Sequence, residues 1–428
     1  MHSGTPIHGR TDAMHRFLKL IQPIEDSSLP HPRILEAGQA YSFPFTFVVP
    51  QRLVDSSCGR ASNDQVRDAH LQLPPSLGDA DLSGFGGTLL DDLAPQMSKI
   101  SYAIEVKITR SRDIDDKPVV VAEKSRKIRI KPAFEEQPPL SVEGKDEEYR
   151  LRQEKTIRKG LFKGKLGRLV IETAQPKSLS LPSNSPTSPV TTMAKVLLRF
   201  DPAEESAQPP KLGSLSSKLK VSTWFASSPR TDFPSKKLLM YDARQGLYSE
   251  TLSLSSRCVQ SARWERHTTD SSLTRRDSAV SNSSLEGVPG PSSNYTGRTF
   301  YTAQILVPIT LPMNKNFVPT FHSCLISRVY ALKLDLSVQA PGMTGPSMSL
   351  KVPIQISAEG SANQEAHQRS LEEAASAAVD AEAAFRARSV APPAAEYLGG
   401  STEMTGLPPR YEVFATGAGT ARQTVSAW

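Results

Sequence analysis

Cysteine is scarce in this 428-residue chain, and its three copies, Cys58, Cys258 and Cys324, are odd in number and far apart. They supply neither a disulfide framework nor a C-x-x-C pair, which suits a reducing compartment. Long apolar runs are missing too. None approaches the ~18 residues that a membrane-spanning helix needs, and residues 1–20 hold no continuous apolar stretch, so no signal peptide is expected. Catalytic signatures are equally absent. There is no G-x-S-x-G elbow, and Gly84-Phe85-Gly86-Gly87 is not followed by the Lys-Ser/Thr of a phosphate loop. The expectation is a protein that is not an enzyme and needs no cofactor. Hydrophobic residues make up only 38%, and proline is frequent at 34 residues, so part of the chain should pack and part should stay loose. A net charge of +7 permits contact with acidic membrane surfaces or phosphorylated partners but does not call for nucleic acid.

What the chain does have is period-two alternation. Tyr41, Phe43, Phe45, Phe47 and Val49 alternate with smaller residues. Tyr102, Ile104, Val106 and Ile108, then Tyr330, Leu332, Leu334, Leu336 and Val338, then Leu350, Val352, Ile354 and Ile356, do the same. Side chains change face at each strand residue, so these runs predict strands with one buried face. One buried face implies antiparallel sheets packed as sandwiches. Weaker strands are expected at 17–21, 119–122, 127–130, 166–172, 195–200, 218–223, 249–254 and 301–307. No convincing amphipathic helix stands out in the body of the chain. Prolines 50, 132, 202, 308, 312 and 353 fall at or beside strand ends, where a missing N–H does least harm.

The predicted fold is therefore all-β: two immunoglobulin-like sandwiches and a disordered tail. The first spans residues 1–142, closing on a linker near Pro132–Val142, and the second spans 143–358. Residues 267–298, rich in Ser, Thr, Asn and Gly, read as a disordered insertion, and residues 359–428 as a loose tail.

Several strings resemble the fungal arrestin-like adaptors of the α-arrestin branch. They are Glu36-Ala37-Gly38-Gln39-Ala40-Tyr41-Ser42-Phe43-Pro44-Phe45, Leu73-Pro74-Pro75-Ser76-Leu77-Gly78, Lys163-Gly164-Lys165-Leu166-Gly167 and Val318-Pro319-Thr320-Phe321-His322-Ser323-Cys324. The resemblance covers roughly residues 14–357. It implies two arrestin sandwiches joined by a short hinge. It also implies a trafficking role, in which plasma-membrane transporters or receptors are linked to a HECT-type ubiquitin ligase for ubiquitination and endocytosis. The chain would be cytoplasmic and recruited to the plasma membrane or endosomes. A retromer-like sorting scaffold with no ligase is the other role open to the same fold. Family members carry two or three strands before the segment matching His15–Lys19, so the first sandwich is expected to be incomplete at its start.

Four features carry candidate chemistry. Pro408-Pro409-Arg410-Tyr411 is a PPxY string. Paired prolines pre-set a polyproline II helix that docks on the aromatic groove of a WW domain at low entropic cost, and the tyrosine fills a second pocket. Arg275-Arg276-Asp277-Ser278 fits a basophilic kinase site; phosphate on Ser278 would add charge and acceptors that suit a 14-3-3 protein. A basic run from Arg150 to Arg168, with Arg158, Lys159, Lys163 and Lys165 at its centre, suits anionic lipid or acidic cargo. Finally, Cys58 and His70 stand twelve apart, and His322 and Cys324 two apart. Zinc sites usually show short paired spacings, so these four are read as buried, satisfied residues and no metal is expected.

Overall fold

A computed structural model describes residues 12–360, apart from 33, 83, 86–87, 112–116, 143–145, 147, 161–163, 184–187, 269–287 and 341–342, together with residue 376. Among its described residues, the N-terminal third holds one α-helix, α1 (Asp64–Leu71), two single 3-10 turns and two hairpins. One is the short pair β1 (Gly84–Phe85) and β2 (Thr88–Leu89); the other is the longer pair β3 (Tyr102–Ser111) and β4 (Pro118–Ile128). The rest is a β-sandwich. Its strands run β5 (Arg152–Arg158), β6 (Lys165–Thr173), β7 (Leu179–Leu181), β8 (Thr191–Pro202) and β9 (Lys211–Ala226). A short helix, α2 (Lys236–Tyr241), follows. Then come β10 (Gln245–Cys258), β11 (Glu265–Thr268), β12 (Thr299–Thr310), β13 (Phe321–His322), β14 (Ile326–Ala340), β15 (Met343–Ile354) and β16 (Ile356–Ala358).

Two five-stranded sheets form the sandwich. One runs β10-β9-β14-β13 with β15 also on β14, and the other runs β11-β12-β8-β6-β5. All these pairings are antiparallel. The alternation read from the sequence sets the inner faces. Leu332, Leu334 and Leu336 of β14 and Met348, Leu350 and Val352 of β15 face Val196, Leu198 and Phe200 of β8 and Ile305, Val307 and Ile309 of β12. At ~25 cal/mol per Å² of apolar surface removed from water, each such side chain contributes roughly 1.5–3 kcal/mol before entropy is charged against it. The prolines sit where the ladder tolerates them. Pro353 lies on β15, which among the described strands pairs with β14 and whose other edge meets Arg150 in a single bridge at Lys351. Pro308 lies on β12 beyond Thr302, where pairing with β11 ends.

The N-terminal third departs from the expected strands. The alternation at 41–49 and the apolar residues at 17–21 form no ladder and take no regular secondary structure. A strand needs a partner for its N–H and C=O groups, and here side chains take two of the amides in and beside the run. Gln22 Oε1 accepts from the Thr46 amide at 2.8 Å, and the Tyr41 hydroxyl accepts from the Glu36 amide at 3.0 Å. Pro44 removes a donor from the middle of the run. The β3–β4 hairpin keeps its predicted strands, yet of the expected buried face only Tyr102 is buried, while Val106 and Ile108 are exposed.

Two short helices appear where none was expected. Asn63 caps α1 by accepting from the Val66 amide at 2.9 Å, and Ser235 caps α2 by accepting from Leu238. The 132–142 segment runs extended along the sandwich. Phe134 exchanges both backbone bonds with Ala358, and Gln137 bonds the Gln355 side chain.

Two glycines of the quoted strings test the backbone reading. Gly38 and Gly78 both adopt positive φ, at +83° and +72°, but a Cβ on Gly38 meets nothing, whereas one on Gly78 runs into the Ser98 carbonyl. Gly38→Ala should therefore cost only the left-handed strain, about 1–2 kcal/mol. Gly78→Ala should cost measurably more, because the Leu77–Ile100 bridge must shift as well. Thermal denaturation of the two variants side by side checks the order.

Candidate functional site

The β5–β6 hairpin carries the basic run. Most of its cations are used internally. Lys159 ion-pairs with Glu204 at 2.9 Å, Lys155 donates to the Ser347 carbonyl at 2.6 Å, and Arg152 pairs with Glu172 at 2.9 Å. Arg158 and Lys165 remain. They are cross-strand partners at the open end of the hairpin, both exposed, and neither has a carboxylate partner among the described residues. Like charges directly opposite one another destabilise a ladder, so an anion at this tip relieves a repulsion built into the hairpin. Lys163 lies outside the described residues.

Three arginines of the same sheet do something the sequence did not disclose. Arg152 donates to the carbonyls of Gly290 and Pro291, Arg168 to that of Ser293, and Arg199 to that of Pro289. Arg199 is buried, stacked 3.9 Å over the Phe300 ring and paired with buried Asp201 at 2.8 Å. Asp201 also accepts from the Ser292 amide at 2.7 Å, and Glu154 accepts from both the amide and the hydroxyl of Ser293. Residues 288–298, expected as part of a loose insertion, are thus in part a strap fastened across the sheet. Residues 267 and 268 belong to β11. Few of these residues are apolar, which is why composition pointed to disorder; the fastening is polar and comes from distant strands.

A third cluster lies where the N-terminal third meets the sandwich. Cys58, at the end of the turn before α1, and His70, in the last turn of α1, meet Cys324, just after β13. All three are buried, and one ligating atom from each lies within 4.8 Å of the others. The Cys58 Sγ to His70 Nδ1 distance is 3.3 Å. His322 and Arg230 stand beside them. Arg230 is buried, its amide donates to the Cys324 carbonyl at 3.0 Å, and its guanidinium reaches only Ser327 at 3.3 Å. The residues expected to be satisfied are not all so: His70 Nε2, His322 Nδ1, and Nε and Nη2 of Arg230 are buried without a partner. Burial, helped by the nearby Arg230 charge, pushes the His70 imidazole down to about 4, and burial pushes His322 down to about 3. Burial and the Cys58 thiol push the Cys324 thiol up to about 12. Spacing hid this group, because His322 lies 264 positions after Cys58 along the chain; only the tertiary fold brings them together.

The PPxY residues Pro408, Pro409, Arg410 and Tyr411, and the candidate phosphosite Ser278, lie outside the described residues. No helix among the described residues is long and apolar enough to cross a membrane.

Against known proteins, residues 246–358 match the protein-family model described as the Bul1 C terminus. The match begins inside β10 and ends on the last residue of β16, so it covers the closing half of the sandwich. It supports the arrestin-like fungal resemblance seen in the sequence. No curated protein matches the chain. Among solved structures, the sporulation control protein Spo0M from Bacillus subtilis overlaps 44% of this chain and 49% of its own, at 11% identity and a TM-score of 0.19. That score is too low to bear on fold or role, and the chain spans about half of that protein's length.

The strap makes a pH prediction. Ser293 hydrogen bonds hold the Glu154 carboxyl below its usual value of 4.5, against a smaller opposing effect of desolvation and with help from Arg168 and Arg152. A depressed carboxylate lends stability that is complete above the unfolded value and is lost as pH falls through the folded one. Hydrogen exchange at the Ser293 amide should therefore stay slow above pH 4.5 and, corrected for intrinsic rates, accelerate below it. Arg168→Ala should produce the same release at neutral pH without unfolding the sandwich.

Proposed function

We propose that this arrestin-like chain is a trafficking adaptor that links membrane-protein cargo to a HECT-type ubiquitin ligase. The observation that carries the reading is the PPxY string at 408–411 in a chain whose residues 246–358 match the Bul1 C terminus. In this reading the chain brings two surfaces together and leaves covalent chemistry to the ligase. Pro408 and Pro409 present a preformed polyproline II turn to the aromatic groove of a WW domain, and Tyr411 fills the neighbouring pocket. The sandwich is the rigid body that meets cytosolic parts of transporters or receptors. The Arg158–Lys165 tip adds attraction to an anionic membrane surface. Phosphorylation of Ser278, in the segment between β11 and the strap, offers a regulatory site for a 14-3-3 protein. The adaptor works in the cytoplasm and is recruited to the plasma membrane or endosomes.

The ligase arm is tested by Tyr411→Ala in the full chain, with binding to an isolated WW domain as the readout. An affinity loss of tenfold or more, about 1.4 kcal/mol, is expected. Unchanged binding removes the ligase from the mechanism and leaves the sorting-scaffold role. The membrane arm is separate. Arg158→Ala with Lys165→Ala should weaken binding to anionic vesicles by about 1 kcal/mol per residue, with no change on zwitterionic vesicles. Cosedimentation at two salt concentrations measures it.

A further inference from the structure

We propose that Cys58, His70 and Cys324, completed by His322, form a structural metal site of the zinc class that ties the N-terminal third to the sandwich. The inference stands on the side chains themselves. Two thiols and an imidazole from distant segments converge with their ligating atoms within 4.8 Å of one another, all of them buried. A tetrahedron with metal–sulfur bonds of ~2.3 Å and metal–nitrogen bonds of ~2.0 Å has edges of roughly 3.5 Å between ligand atoms. The 3.3 Å between Cys58 Sγ and His70 Nδ1 is already such an edge, and the remaining separations need only a small contraction.

Hydrogen bonding points the same way. A buried ring nitrogen without a partner costs free energy, and His322 Nδ1 stands beside the three ligands in that state. His322 lies two residues before Cys324 and edge-on to Phe233, with ring centroids 4.8 Å apart; its ligating atoms stand outside the 4.8 Å group, so it supplies the fourth ligand by moving toward the other three. Mixed thiolate and imidazole donors in a closed, buried setting select zinc over magnesium or calcium, which prefer oxygen. Binding would displace the thiol protons to solvent, and two thiolates balance the charge of a divalent ion. The sulfurs then become acceptors for the buried Arg230 guanidinium, whose Nε and Nη2 otherwise face no partner.

The position gives such a site a mechanical role. Cys58 precedes helix α1 and His70 lies in its last turn, while His322 ends β13 and Cys324 lies in the turn from β13 into β14. The surrounding side chains, Leu53, Leu71, Leu73 and Phe321, come from the same two regions. Close by, the Ser62 amide donates to the Thr231 carbonyl at 2.8 Å and the Ser62 hydroxyl to Asp232. A metal would add to this seam a crosslink between segments more than two hundred residues apart in the chain, where crosslinks restrict the unfolded ensemble most.

The test uses the full chain expressed and purified under reducing conditions without chelator. Elemental analysis should find one zinc per chain, and cobalt substitution should give the thiolate-to-cobalt charge-transfer absorption of a cysteine-ligated site. Alkylation should label Cys258, which is exposed, and spare Cys58 and Cys324 until a chelator is added. His322→Ala should weaken zinc at least tenfold, in the range seen when a metal environment loses one group; affinity equal to the parent removes His322 from the set. Cys258→Ser should keep the metal, whereas Cys58→Ser or Cys324→Ser should lose it. Loss of a buried thiol can by itself unfold those two variants, so alkylation of the parent chain decides independently of them. Chain free of zinc that also gains no protection on titration with zinc alone overturns the proposal, as does a Cys58–Cys324 disulfide found in freshly isolated chain.

Discussion

Among its described residues, the N-terminal third of this protein closes its core against the sandwich. Its buried residues, Leu53, Leu71, Leu73, Leu77, Ile100 and Tyr102, pack against Val318, Phe321 and Cys324, which lie on the loop before β13, on β13 itself and in the turn that feeds β14. Everything ahead of residue 135 therefore depends on the sandwich having formed. Polar contacts follow the same seam. Arg328, fully buried on β14, donates to the Asp92 carbonyl at 3.0 Å, Lys315 pairs with Asp91 at 2.8 Å, and Arg129 donates to Asn316 at 2.6 Å. Tyr330, whose hydroxyl donates to the Val318 carbonyl, sits between the two cores and touches both.

This dependence explains which parts of the fold were legible in the sequence. The β14 and β15 alternation is unambiguous because each residue of one face meets an opposing sheet, so selection for burial writes a strict period of two. The run at 41–49 has the same period and forms no strand. Period two states that side chains alternate; it does not supply the neighbour that a ladder needs, and here the Thr46 amide turns to the Gln22 side chain instead. Helix α1 was missed for another reason. Eight residues are too few to display a helical period, and the informative signs were local, namely Asn63 as a cap and His70 in the last turn.

The candidate sites divide along the same line. A linear motif such as PPxY is read directly, because its recognition physics is contained in four consecutive residues. The basic run was visible as charge, but its division into strap-holding arginines and two unpaired cations at the tip depends on which carbonyls and carboxylates lie opposite, and those come from residues 172, 204 and 289–293. The thiol and imidazole group is the extreme case. Its members carry no short spacing, so only tertiary proximity reveals them.

The outer strands of the sandwich bear on a different question, that of unwanted association. An uncovered strand edge offers free N–H and C=O groups to any extended chain. On the β15 side Pro353 interrupts that row, and along the outer stretch of β12 Pro308 does so. At β5 a row of cations, with Arg152 and Lys155 already engaged, discourages an approaching strand. Strand β10 has none of these guards. It is fourteen residues long, proline-free and paired on one side only among the described residues, and its serine-rich face is soluble but open to hydrogen bonding. If two copies of this protein, or a copy and an extended peptide, ever share a sheet, β10 is the edge along which the backbone permits it.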